Sequence, residues 1–128
     1  MTSATPPVDD AVAAVRDQYA GHPVEIVPDG GGGVYVIIDN VDVGERYTPS
    51  ATWLGFQINA AYPISDVYPL YMGQVDRVDG QVHGEGIQAI EWQGRPALQL
   101  SRRSNRWNPR LDTAALKAEK VITWFSSQ

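Results

Sequence analysis

The spacing of apolar residues predicts a helix near each end of the chain. From residue 8 to residue 19 they recur at steps of four, three and four, as on one face of an amphipathic helix: Val8, Val12, Val15 and Tyr19. Gly21 is a natural stop for this helix. Near the other end, Asp112 is positioned to cap a second helix. The apolar face of that helix consists of Leu111, Ala114, Ala118, Val121 and Phe125, with Ala115 and Ile122 beside them.

Between these helices the pattern favours strands. The β-branched runs PVEIV and VYVIIDNV are separated by PDGGGG, whose glycines suit a tight turn, so the two runs are predicted to form a hairpin. The next apolar segment, TWLGFQI, alternates strictly between two faces. It is therefore predicted to be a third strand whose core-facing side chains are Leu54, Phe56 and Ile58.

The second half of the chain predicts a loop followed by more strands. The segment YPISDVYP carries two X-Pro bonds, which favour an extended path, and is predicted to be an ordered loop. Asp79-Gly80 is a preferred dipeptide for a two-residue turn, so LYMGQVDRV and QVHGEGIQAIEW are predicted to pair as a hairpin. Gln93-Gly94 predicts another turn, before the strand PALQLS.

The order of these elements predicts a single α+β domain. It comprises residues 8–128, with both helices packed on one face of an antiparallel β-meander. A length of 128 residues, of which 43% are hydrophobic, suits one modest core. Residues 1–7 are small, polar and proline-bearing, and are predicted to form a flexible leader.

Charge and composition exclude several classes of function. Fifteen acidic and ten basic side chains give a formal net charge of −5, which argues against a nucleic-acid partner because the overall field repels phosphate. The chain has no cysteine, which excludes disulfides, thiolate metal sites and thioester intermediates. Neither a signal peptide nor an apolar run of membrane-spanning length is present, so we expect a cytoplasmic protein without a membrane partner.

Two motifs suggest ligands but are better explained by structure. The glycines at 30–33 resemble a phosphate cradle, yet a strand follows them where a phosphate loop requires a helix. His83 and Glu85 are the only close-spaced pair containing a histidine that suits a metal, and no third ligand is spaced to join them. We therefore expect a hairpin turn and a solvated strand histidine, with no metal or other cofactor.

A small hydrolase is the enzymatic alternative. A hydroxyl nucleophile needs a base to accept its proton and an acid to orient that base. His83 as base, Ser101 or Ser104 as nucleophile and Asp76 as the orienting acid supply those residue types. The chain has no Gly-x-Ser-x-Gly elbow that would place such a serine.

The tryptophans divide into core residues and candidate anchors. Trp53 lies in a predicted strand and Trp124 precedes Phe125 in the last helix, so all three residues are predicted to be core. Trp107 lies in the segment QLSRRSNRWNPRLDT, at residues 99–113, which is predicted to be irregular. It either fastens that segment to the core or is an exposed anchor.

The order of these features resembles that of the ubiquitin-conjugating enzymes and their non-catalytic relatives, the UEV and RWD domains, in the form found in bacterial ubiquitin-like operons. The matching residues are Tyr62-Pro63 with Pro69 after the third strand, and then Trp107-Asn108-Pro109 a few residues before a helix. LQLSRR followed by NRWNP looks like the segment that carries the cysteine and its downstream tryptophan in active members. The resemblance covers roughly residues 8–126.

Departures from that family imply a module without transfer chemistry. The position equivalent to the thioester-forming cysteine is Gln99, and a carboxamide cannot form a thioester. The family's histidine-proline-asparagine triplet has no counterpart, since His83-Gly84-Glu85 matches neither its proline nor its asparagine. The resemblance therefore implies a non-catalytic domain that binds a partner protein, such as a ubiquitin-like protein or an activating enzyme. It leaves the oligomeric state open.

The predicted partner site lies in the irregular segment and the Tyr-Pro loop. Arginine and tryptophan dominate interface energetics, which favours Arg102, Arg103 and Trp107 as contacts. Alternatively, the two arginines pair with acids of the last helix, Asp112 or Glu119. The complete set of predicted binding residues is Arg102, Arg103, Asn105, Trp107, Tyr62 and Pro63.

Overall fold

The computed structural model describes residues 3–128. Most of the described chain lies in two helices and eight strands. In chain order these are α1 (Pro6–Gln18), β1 (Val24–Pro28), β2 (Val34–Asp42), β3 (Tyr47–Thr48), β4 (Ala51–Ile58), β5 (Leu70–Gly73), β6 (Asp76–Arg77), β7 (Ile87–Trp92), β8 (Arg95–Leu100) and α2 (Ala114–Ser126).

Six of the strands form one antiparallel sheet in the order β1-β2-β4-β5-β8-β7. The first four make a meander, and the β7–β8 hairpin extends it beyond β5. Strands β3 and β6 pair separately. The predicted α+β class is therefore confirmed: an N-terminal helix, an antiparallel sheet and a C-terminal helix.

The glycine-rich turn between β1 and β2 has the predicted hairpin role. Pro28 pairs with Val34, and the carboxylate of Asp29 accepts hydrogen bonds from the backbone N–H groups of Gly31 at 2.7 Å and Gly33 at 3.0 Å. Side-chain acceptance of backbone N–H groups by aspartate is a common way to close a turn. The glycines relieve the steric restriction, since Gly30 and Gly32 have positive φ angles.

The core lies between the helices and one face of the sheet. Cross-strand neighbours on that face include Val36 with Phe56 and Leu54 with Met72, and all four are fully buried. The same cluster contains apolar residues of both helices, namely Val8, Ala11, Val15, Ala114, Ala115, Ala118, Val121 and Phe125. Leu54, Phe56 and Ile58 face this core as predicted.

The opposite face of the sheet carries its own aromatic cluster. Trp92, at the end of β7, stacks on Tyr71 with ring centroids 4.5 Å apart and on Trp53 at 5.8 Å. Its ring lies directly over Gly55, where a Cβ atom would overlap it. Trp53 is therefore half-buried on the outer face and does not join the predicted core, because strand side chains alternate and its neighbour Leu54 faces inward. Phe125 does lie in the core, whereas Trp124 is half-buried.

Both helices begin at residues other than those predicted. Helix α1 starts at Pro6, with Thr5 as its N-cap, because proline is well tolerated in the first helical turn. Pro6 and Pro7 thus belong to the helix and Thr5 caps it, although residues 1–7 were predicted to be a leader; residues 1–2 lie outside the described range. Helix α2 is capped by Thr113, not Asp112, and the Thr113 hydroxyl accepts from the N–H of Leu116 at 3.1 Å. Leu111 precedes the helix and is 72% exposed, so it is not part of the buried face.

The predicted hairpin across Asp79-Gly80 is wrong. Strand β5 pairs with β4 on one side and β8 on the other, which leaves it no edge for β7. The short strand β6 instead pairs with β3, and β7 pairs with β8 across the predicted Gln93-Gly94 turn.

Within residues 3–128, neither helix combines the length and apolarity that crossing a membrane requires.

Candidate functional site

The candidate site lies along the stretch between β8 and α2, which we call the linking segment (residues 101–113). Gln99 and Leu100 are the last two residues of β8, as the predicted strand PALQLS implies, so the irregular stretch begins at residue 101 and not at residue 99. The linking segment itself contains no strand or α-helix. Because it lacks regular backbone pairing, side-chain contacts to the rest of the domain must hold it in place.

One set of those contacts joins three parts of the chain. Lys117, in α2, is 4% exposed, and its ammonium nitrogen lies 3.1 Å from both carboxylate oxygens of Asp66 in the Tyr-Pro loop. The same nitrogen donates to the hydroxyl oxygen of Ser104 at 2.8 Å. Ser104 in turn donates its N–H and its O–H to Asp66, at 3.0 and 3.2 Å. Loop, linking segment and helix are thus tied at one point.

Burial sets the electrostatics of this group. Desolvation lowers the pKa of Lys117, while the hydrogen bond and charge of Asp66 act in the opposite direction. A lysine at a core-facing helical position is the one sequence signal for this arrangement, since Lys117 lies three residues after Ala114 and four before Val121. That signal predicts a buried counter-ion but does not identify Asp66.

Trp107 fastens the linking segment a second time. Its indole N–H donates to the carbonyl of Pro63 at 2.7 Å, and its ring packs at the edge of the core. Tyr62, only 7% exposed, accepts a hydrogen bond from the N–H of Ala114 at 3.1 Å. The two stretches that carry the family resemblance, Tyr62-Pro63 and Trp107, are therefore in direct contact. Pro63 is half-buried beside them.

Arg102 and Arg103 rest on aromatic rings. The guanidinium carbon of Arg102 lies 5.4 Å from the ring centroid of Trp124, and that of Arg103 lies 4.8 Å from the centroid of Tyr68. A hydrogen bond from Arg103 lowers the pKa of the Tyr68 hydroxyl. Within residues 3–128, neither arginine forms a salt bridge. The alternative in which they pair with Asp112 or Glu119 is not observed.

Asp112 has other partners. Its carboxylate accepts from the N–H of Asn108 at 2.7 Å, a hydrogen bond that lowers its pKa. It also lies 3.5 Å from the ammonium nitrogen of Lys120, whose side chain is 71% exposed. Asp112 therefore neutralises a helix lysine, and the arginines of the linking segment have no acidic partner within residues 3–128.

These residues line a cleft between the linking segment and α2, which we call the basic cleft. Its volume is about 350 Å³. Among the described residues, five of its lining side chains are cationic and Asp112 is the only acidic one. The lining consists of Arg102, Arg103, Ser104, Asn105, Arg106, Asp112, Lys117, Lys120, Val121 and Trp124. The predicted contacts Arg102, Arg103 and Asn105 meet here, and all three are exposed.

Gln99 is not among the lining residues of the basic cleft. Gln99, the position equivalent to the lost nucleophile, pairs with Tyr71 and Gln88 inside β8, and its amide nitrogen donates to the Ser101 hydroxyl at 3.3 Å. The position equivalent to the lost nucleophile thus lies in a paired strand, in agreement with the predicted strand PALQLS.

The predicted hydrolase residues are not brought together. The Nε2 atom of His83 lies 2.7 Å from the carbonyl oxygen of Val75, and its ring stacks against Tyr47. Its Nδ1 atom is buried and has no hydrogen-bond partner among the described residues. His83 therefore makes no hydrogen bond to Ser101 or Ser104. Asp76 is exposed in β6.

Neither a metal-binding group nor a similarity to known proteins identifies a function for this chain. In the part of the chain that the structure describes, no three His, Asp or Glu side chains form a group that could hold a metal ion. No protein-family model, curated protein or solved structure matches this chain.

Proposed function

We propose that this protein is a non-catalytic domain on a ubiquitin-conjugating-enzyme-like scaffold, and that it binds a partner protein of a bacterial ubiquitin-like conjugation system. The α+β layout and the contact between Trp107 and Pro63 support this proposal, because they join the two stretches that carry the resemblance. A chain without cysteine cannot carry the thioester of the active enzymes.

The observation that carries the binding role is the way in which Arg102 and Arg103 are held. Both guanidinium groups rest on aromatic faces, at 5.4 and 4.8 Å, and neither is neutralised by a carboxylate among residues 3–128. Stacking restrains a long side chain while its hydrogen-bond donors stay available. Prior ordering of this kind lowers the entropic cost of binding a partner.

Affinity capture from a lysate of the source organism tests this proposal. The wild-type chain is compared with Arg102→Glu/Arg103→Glu and with the control Arg16→Glu/Arg95→Glu, which makes the same charge change away from the linking segment. We expect wild type and control to recover a ubiquitin-like protein, an activating enzyme or a deconjugating protease, identified by mass, and the first variant to lose it. Equal recovery by all three baits, or recovery of proteins unrelated to conjugation, would contradict the proposal.

A second candidate function rests on the contact between Ser104 and Lys117. A buried lysine 2.8 Å from a serine hydroxyl, with its pKa lowered by desolvation, has the geometry of a nucleophile with its base. In this hydrolase alternative Lys117, rather than His83, accepts the serine proton as the oxygen attacks an ester carbonyl. Asp66 opposes that role because its charge favours the protonated lysine.

Hydrolysis of p-nitrophenyl acetate separates the two functions. A hydrolase should turn over this ester at a rate that rises with pH and is lost in Ser104→Ala, while Ser101→Ala retains it. A rate equal to that of the uncatalysed reaction would leave the binding role as the proposal.

A further inference from the structure

We infer that the basic cleft binds an extended acidic segment of the partner, about three residues long, with two or more carboxylates. This inference rests on the proposed function, because it specifies the chemistry by which the same site would recognise its partner. Three observations support it: the local reversal of charge, the size and shape of the cleft, and the restraint on its side chains.

The charge of the cleft is opposite to that of the chain. The sequence has a formal charge of −5, yet the cleft is lined by Arg102, Arg103, Arg106, Lys117 and Lys120. Asp66 forms a salt bridge with Lys117, and Asp112 forms one with Lys120. The three arginines have no salt bridge among residues 3–128. An acidic ligand is drawn to such a local positive field, and like-charged surfaces elsewhere on the domain repel it.

The dimensions of the cleft favour a short stretch of chain over a single anion. Lys117 and Trp124 line it from positions two helical turns apart, which is about 10 Å at 1.5 Å per residue. An extended peptide of about three residues covers the same length. One phosphate or one carboxylate would reach only part of the lining. A volume of about 350 Å³ also accommodates such a segment but not a folded domain.

The cleft is also ordered in advance. Ser104 is tied to Lys117 and Asp66, while Arg102 lies over the Trp124 ring at 5.4 Å. Val121 and Trp124 contribute apolar surface to the lining. Guanidinium groups on a restrained backbone suit bidentate recognition of carboxylates, since the fork geometry matches both oxygens.

The probe is a blocked peptide, acetyl-Gly-Glu-Asp-Glu-Gly-amide, titrated into the full chain while amide chemical shifts are followed by NMR. Its neutral counterpart with Gln-Asn-Gln and inorganic phosphate at matched ionic strength are titrated in parallel. We expect saturable shifts at Ser104, Arg106 and Lys120 with the acidic peptide alone. Arg102→Gln/Arg106→Gln should bind it about tenfold more weakly, and the distant Arg16→Gln should bind as wild type.

Three outcomes would overturn the inference. They are the absence of saturable shifts with the acidic peptide, unchanged affinity in Arg102→Gln/Arg106→Gln, and phosphate binding as tightly as the peptide, which would indicate a site for a single oxyanion. If the peptide fails while partner capture still depends on Arg102 and Arg103, only the acidic-segment inference falls. If capture is also independent of these arginines, the proposed function falls with it.

Discussion

The ammonium nitrogen of Lys117 lies 3.1 Å from each carboxylate oxygen of Asp66, so a buried helix lysine and a loop aspartate tie irregular parts of the chain to α2. Removing one partner of a buried pair leaves a charge without compensation. We therefore expect Asp66→Asn to lower the free energy of unfolding by about 3 kcal/mol. Urea denaturation followed by circular dichroism measures this loss.

A double variant separates the ion pair from packing. In Asp66→Asn/Lys117→Met neither residue of the pair carries a charge, so most of the lost stability should return. The exposed Asp10→Asn is the matched control and should stay within about 0.5 kcal/mol of wild type. A single variant as stable as wild type would show that Lys117 is adequately solvated without Asp66.

The same pair predicts a pH dependence. The folded-state pKa of Lys117 is lowered by desolvation, whereas Asp66 opposes the shift, so removing Asp66 lowers that pKa further. Between the folded and unfolded pKa values the unfolded state binds more protons, and stability therefore rises with pH in that window. The deficit of Asp66→Asn relative to wild type should shrink as the pH rises from 7 toward 10. A deficit that is constant over this range would contradict the electrostatic explanation.

Gly55 is required by the close approach of Trp92 on the outer face of the sheet. A Cβ atom at residue 55 would overlap the indole, and the aromatic cluster would have to move. We expect Gly55→Ala to cost about 1–3 kcal/mol, the usual range for overpacking. Gly84→Ala is the matched control, because a Cβ there meets no atom within 4 Å. Thermal unfolding compares the two, and equal melting temperatures would mean that Trp92 has room to shift.

The start of α2 provides a test of capping. The Thr113 hydroxyl accepts from the N–H of Leu116 at 3.1 Å, so Thr113→Ala should lower stability by about 1 kcal/mol. Asp112→Ala loses a hydrogen bond to Asn108 and an exposed ion pair instead, and it should also loosen the linking segment. Hydrogen exchange distinguishes them: Thr113→Ala should speed exchange in the first turn of α2, and Asp112→Ala at Asn108. The reverse pattern would identify Asp112 as the effective cap.

Local patterns were sufficient for elements whose partners are close in sequence. Helix α1, helix α2 and the β1–β2 hairpin follow from periodicity and turn residues, because these signals act over a few residues. The helix boundaries were less accurate. Pro6 and Pro7 were assigned to the leader, and Asp112 also suits a cap beside Thr113. Pairing across Asp79-Gly80 was predicted wrongly because β5 pairs with β4 on one edge and with β8 on the other. Strand β8 follows β5 only after β6 and β7, so local sequence signals do not predict this pairing.

The sequence by itself determined the α+β class, the absence of thiol chemistry and the concentration of arginine and tryptophan in residues 102–107. It did not predict the ion pair between Asp66 and Lys117. These residues are 51 positions apart in the sequence, and they come into contact only when the Tyr-Pro loop, the linking segment and α2 have packed together. It also left open whether Arg102 and Arg103 would pair with acids or rest on Trp124 and Tyr68. Periodicity records which side of an element faces the core, whereas the partner of a charged side chain depends on distances that only the tertiary structure decides.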